Sequence, residues 1–131
     1  MRKDPNAMDS ECIALCNAMN RFPNIETYES CCGHGNTPYH IWFSTKRLRA
    51  LPRLLYWFNG CHTGCYGWHV EVKTDCGMSP ATFMLEGPTG KVAYAESEHI
   101  ANCMNCYLDD AWPDKAPIEM LVEVLEEHGC R

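Results

Sequence analysis

Three short clusters in this sequence hold side chains able to do chemistry: Cys31-Cys32-Gly33-His34-Gly35, Cys61-His62-x-x-Cys65 and Asp75-Cys76-Gly77. Thiolate and imidazole are ligands that zinc prefers, and four of them at tetrahedral positions close a site. Cys32, His34, Cys61, His62 and Cys65 are therefore the candidate metal ligands, with zinc the expected ion. The same residue types also make an activated nucleophile: Cys31 or Cys32 would attack once His34 or His62 has taken the thiol proton. In a third, blander reading the thiols simply pack in glycine-rich turns. Adjacent Cys31 and Cys32 point opposite ways on a strand, so one ion does not take both. The spacing is not that of a zinc finger or ribbon.

Of the 10 cysteines, Cys12, Cys16 and Cys103 fall on apolar helix stripes, where a free thiol acts as a small hydrophobe. Cys103 and Cys106 form a C-x-x-C, but no strand directly precedes them and no glycine or proline separates them, so no redox pair is expected there. His40 and His69 take the outward phase of strands, while His99 and His128 decorate helices. That leaves His34 and His62 as the histidines embedded among cysteines. A second concentration is cationic. Lys46, Arg49 and Arg53 share one helical face with Arg47 beside them, either a solvated face or an anion site for phosphate or a nucleic-acid backbone next to the glycine turns. Ser30, Gly33, Lys46, Arg49, Arg53 and Asp75 are thus the expected ligand-binding residues.

Periodicity supplies the elements that would position these groups. Ser10 caps a helix over residues 11–21 with Cys12, Leu15, Cys16, Met19 and Phe22 on its buried face, and Pro23 with Asn24 ends it. Residues 1–9 read as a loose arm. Strands are predicted over 25–30 and 39–43, the second with Tyr39, Ile41 and Phe43 inward. From Thr45 a helical pattern places Leu48, Leu51, Leu55 and Phe58 together. Pro52 either kinks it or starts a separate helix after a first turn. Trp68, Val70 and Val72, then Phe83 and Leu85, mark two more strands. A helix over 94–110 and a last one from Pro117 complete the order α-β-β-α-β-β-α-α. The expected fold is one α+β domain, a four-stranded, mainly antiparallel sheet packed against helices. The strand ending at Ser30 and the strand starting near Tyr66 are expected to lie side by side, which would bring the first two cysteine clusters together.

A chain of 131 residues can bury one core. A formal net charge of −6 argues against non-specific nucleic-acid binding while leaving room for a local basic stripe. No apolar stretch has signal-peptide or membrane-spanning length, so the chain reads as cytoplasmic, with no membrane partner and reduced thiols.

From about residue 10 to 43 the chain resembles the family of methyltransferases in wybutosine synthesis on tRNA. In "AMNRFPNIETYESCCGHG", Thr27, Ser30, Cys31 and Gly33 match that family's strand–turn motif. Glu29, Cys32 and His34 stand where it has serine, serine and arginine. The resemblance implies a similar local fold and a tRNA-modifying activity, without the fixed cation that the family would hold at the position of His34. "SCCGHG" and "CHTGCYGWH" also look similar to segments of small proteins carried by phages and mobile elements. The leading expectation is a small binding module for a nucleotide or an RNA segment, its thiol turns organised by zinc. It requires the face of Lys46, Arg49 and Arg53 to border the Cys31–His34 turn. The alternatives are an enzyme with a cysteine nucleophile or a tRNA-modifying activity, and an interaction protein that forms a homo-oligomer.

Overall fold

The computed structural model describes residues 8–73 and 81–110. Asp75, Cys76, Gly77 and the helix expected from Pro117 lie outside the described residues.

The most apolar strands take the middle of the sheet. β2 (Pro38–Thr45) buries Tyr39, Ile41, Phe43 and Thr45, and β4 (Ala81–Thr89) buries Phe83, Leu85 and Gly87. Flanking them are β1 (Ile25–Cys31) and β3 (His69–Lys73), in the order β1-β2-β4-β3 with every pair antiparallel. The fold is thus the α+β arrangement the periodicity predicts. The expected neighbourhood of β1 and β3 is not realised, because these strands are the opposite edges. Their outward positions carry Glu26, Glu29, His69 and Glu71, which sit well beside water at an edge, whereas β2 and β4 bring unbroken apolar inner faces. Phe43 and Phe83 pair across the ladder with ring centroids 5.5 Å apart. Trp68 lies flat on Gly87, where any side chain would collide with the indole, and meets Tyr39 edge-on at 5.2 Å.

Helices α1 (Ser10–Asn20) and α4 (Lys91–Asp110) cover one face of this sheet. The buried side of α1 is the predicted one, Cys12, Leu15, Cys16 and Met19, continued by Phe22. Arg21 clasps α4 through Asp109 at 2.7 Å and Asn105 at 2.8 Å. The pattern from Thr45 becomes three short pieces: a 3-10 turn at Leu48–Ala50, α2 (Leu51–Leu55) and a 3-10 turn at Tyr56–Phe58. Pro52, with no N–H to give, lies in the first turn of α2, so the separate turn wins over the kink. The break rotates the helix face: Leu54 is buried while Leu48 is exposed. A further short helix, α3 (Gly60–Thr63), carries the second cysteine cluster. Val72, expected inward, opposes Phe83 but is 63% exposed, because β3 is an edge strand. No described helix is long and apolar enough to cross a membrane.

Candidate metal centre

A bulge decides which of the two adjacent cysteines turns inward. Along β1 the pairing with β2 shifts register between Thr27 and Glu29, and Tyr28 is the extra residue. Unbroken alternation from Ile25 would have sent Cys31 into the core. The bulge reverses the phase, so Ser30 and Cys32 are buried and Cys31 faces the other side.

The chain then winds left-handed through Gly33 (φ 82°), His34 (φ 51°) and Gly35 (φ 80°). Gly33 is required there twice over. Its φ is one that side chains resist, and an added Cβ would lie 3.2 Å from the Pro38 carbonyl oxygen. This tight turn folds His34 back on its neighbour. The backbone N–H of His34 donates to Cys32 Sγ at 3.4 Å, and its Nδ1 lies 3.7 Å from the same sulfur. A carboxylate closes the group from the start of α1. Asp9 occupies the N-cap position, yet its side chain does not cap its own helix. Instead Asp9 Oδ2 accepts the Cys32 N–H at 2.9 Å and lies 3.8 Å from His34 Nε2. One ligand atom each from Asp9, Cys32 and His34 lies within 4.8 Å of the other two, and no other such group of three occurs among the described residues.

The electrostatics of the group hang on the thiol. Burial, with Cys32 only 4% exposed, pushes its pKa above the ordinary value, and Asp9 adds to the rise. The His34 backbone N–H and the Tyr94 hydroxyl from α4 act against it. Cys32 therefore rests as a neutral thiol beside a carboxylate, the state that a cation would reverse. His34, by contrast, has a side chain 68% exposed, so one side of the group faces water.

The second cluster goes elsewhere. Cys61 is exposed and its N–H donates to Asn59 Oδ1 at 2.9 Å. His62 stacks on Tyr56 with centroids 3.9 Å apart. Cys65 is buried, its thiol donating to the Thr63 carbonyl at 3.8 Å. Burial chiefly, then the charge of Glu96, raises its pKa. The same carbonyl takes His99 Nε2 at 3.1 Å, and Cys103 Sγ lies 3.7 Å from that nitrogen. The Cys61–Cys65 turn thus docks on α4, and the five-residue metal set expected from the sequence divides. Cys32 and His34 come together with Asp9; Cys61, His62 and Cys65 do not join them.

The expected ligand-binding residues also separate. Ser30 is buried, its hydroxyl against the Cys12 and Cys16 thiols. Lys46 and Arg49 are exposed, whereas Arg53 is buried and its Nε donates to the Tyr107 hydroxyl at 3.1 Å. Ile25 pairs with Thr45 at one end of the β1–β2 hairpin and Cys31 with His40 at the other. The cationic segment after Thr45 is therefore roughly 20 Å from the Cys32 turn at the usual rise per residue, not beside it. On the face of the sheet turned away from α1 and α4, Cys31, His40, Glu86 and His69 form one row across all four strands. Only His69 and Glu86 in that row make an ion pair, at 3.1 Å.

Two members of the site were missed. Asp9 lies in the segment expected as a loose arm, and with the cap expected at Ser10 nothing in the sequence marks Asp9 as a ligand. Tyr94 stands at the start of the helix expected over 94–110, with nothing local in the sequence to mark a thiol contact. Compared with protein-family models, curated proteins and solved structures, this chain matches none.

Proposed function

We propose that this chain is a small metal-binding protein, taking one zinc-class divalent ion on Asp9, Cys32 and His34 and leaving a fourth position open. The observation that carries this is the convergence of three ligand types from two distant segments within 4.8 Å. Zinc bound at about 2.3 Å to sulfur and about 2.0 Å to nitrogen holds the two roughly 3.5 Å apart, close to the separation of Cys32 Sγ and His34 Nδ1. An ion there would hold the thiolate that burial now disfavours, and Asp9, which opposes the thiolate, would become its ligand. Binding would release the thiol proton. Three protein ligands with a solvent-facing side suit an exchangeable fourth ligand better than a closed structural site. The eight described cysteines are all free thiols. The nucleotide part of the expectation is no part of this reading, since the cationic segment after Thr45 lies at the other end of the hairpin from the Cys32 turn.

A second reading has one observation in its favour. Cys32, His34 and Asp9 stand in the order thiol, imidazole, carboxylate, the order of a cysteine nucleophile with its oriented base. Against it stands the raised pKa of a thiol that a resting nucleophile would need lowered. Elemental analysis separates the two. Full-length protein stripped with chelator and reloaded with zinc should hold about one equivalent, Cys32→Ser none, and Cys65→Ser as much as the unaltered chain. Absence of metal together with fast alkylation at Cys32 alone would transfer the assignment to the nucleophile.

A further inference from the structure

A cleft of about 260 Å³ opens at the end of the hairpin remote from Cys32, and three arginines line it: Arg47, Arg49 and Arg53. Its other wall is the turn of Phe22, Pro23 and Asn24. The two walls are fastened together, since Asn24, at φ 68°, accepts the Lys46 N–H at 3.0 Å. Thr45 holds the cationic wall in place, its hydroxyl donating to the Arg47 carbonyl at 2.7 Å and accepting the Arg47 N–H at 3.2 Å. Among the described residues, no carboxylate lines the cleft.

Arg53 is the unusual member. It is only 5% exposed, and its guanidinium sits 5.6 Å from the centre of the Tyr107 ring while Nε donates to the Tyr107 hydroxyl. Desolvation lowers its pKa even with that hydroxyl in place. A buried, positioned arginine in a cleft that two exposed arginines also line offers paired N–H donors, the groups that recognise planar or tetrahedral oxyanions. The net charge of −6 and the small volume favour a small anion over a polynucleotide.

We infer that the cleft formed by Phe22, Asn24, Arg47, Arg49 and Arg53 binds a small phosphate-bearing anion, with Arg53 at its base and Arg47 and Arg49 at its mouth. The inference is independent of the metal site, which lies at the other end of the hairpin.

The test is an amide-resolved NMR titration of the full chain with inorganic pyrophosphate and, separately, with adenosine monophosphate, both at fixed ionic strength. Saturable shifts confined to residues 22–24 and 45–53 are expected. Tighter binding of the monophosphate would identify a nucleotide as the source of the phosphate, and tighter binding of pyrophosphate an inorganic or polyphosphate source. Arg47→Ala and Arg49→Ala, both at exposed positions that leave folding intact, should each weaken binding about tenfold. Lys46→Ala, a neighbouring cation outside the cleft, should leave it unchanged. Shifts that never saturate, equal loss in all three variants, or an oligoribonucleotide that outcompetes both small anions would overturn the assignment.

Discussion

Two turns of this protein are almost alike in composition and differ in what they build. Cys31-Cys32-Gly33-His34-Gly35 and Cys61-His62-Thr63-Gly64-Cys65 each offer two thiols and an imidazole, with left-handed glycine at Gly33 and Gly35 in the first and at Gly64 in the second. In the first, the imidazole folds onto the thiol and a carboxylate from 23 residues earlier joins them. In the second, the imidazole stacks on Tyr56, one thiol is in water and the other is spent on a carbonyl in the same turn. Thiols and histidines in a turn do not make a site by being neighbours in sequence. A group from elsewhere in the chain does, and here it is Asp9.

The largest effect that could break this comparison is on metal affinity. Cys32→Ser should lose measurable zinc binding in equilibrium dialysis, while Cys61→Ser and Cys65→Ser keep it. Equal losses in all three would mean that the turns act together after all. Asp9→Asn comes next. Altering an outer partner of a metal ligand already lowers affinity 10–100-fold, so replacing a ligand should lower it by at least about tenfold. Unchanged affinity in that variant would reduce the site to Cys32 and His34.

Stability should distinguish the turns more gently. Gly33→Ala forces both a left-handed φ and a 3.2 Å approach to the Pro38 carbonyl, so it should destabilise the fold by about 2 kcal/mol in urea unfolding. Gly64→Ala meets open space at a similar φ and should show only the backbone term, about 1 kcal/mol. If the two variants are equal, the Gly33 turn is looser than its contacts imply.

The smallest effect contrasts turn thiols with core thiols. Burial raises the Cys12 pKa to about 12 from an ordinary 9.0. Because the folded state holds that proton more tightly than the unfolded chain, its contribution is complete below about pH 9 and is lost as pH climbs toward 12. Denaturation under reducing conditions should show stability falling through this window, with a shallower slope in Cys12→Ala. A slope unchanged in that variant would show that Cys12 has no part in it.

Much of the framework was legible because it is periodic. The α1 stripe, the inward phase of β2 and the Phe83–Leu85 strand all follow from alternation or helical spacing. Strand order was less accessible, since β1 and β3 look locally like strands that could pair, and only the relative apolarity of β2 and β4 sends them to opposite edges. At the site, the composition of the turn pointed to Cys32 and His34. The bulge at Tyr28 that chooses Cys32 over Cys31 is a property of two strands in register, which one strand's sequence does not carry. Asp9 was hidden for a related reason: the cap was expected at Ser10, and only the tertiary fold brings the Asp9 carboxylate to the Cys32 turn. The cations after Thr45 were visible as a cluster, but their partner was misplaced. They face Phe22 and Asn24 rather than the glycine turn, because the hairpin sets the two ends of β1 apart.

X-ray absorption at the zinc edge of the reloaded full-length chain tests the central claim most directly. One sulfur neighbour at about 2.3 Å and two or three nitrogen or oxygen neighbours at about 2.0–2.1 Å are expected. Two or more sulfur neighbours would contradict the claim, for they would require a second cysteine, and among the described residues no other thiol belongs to the group of Asp9, Cys32 and His34.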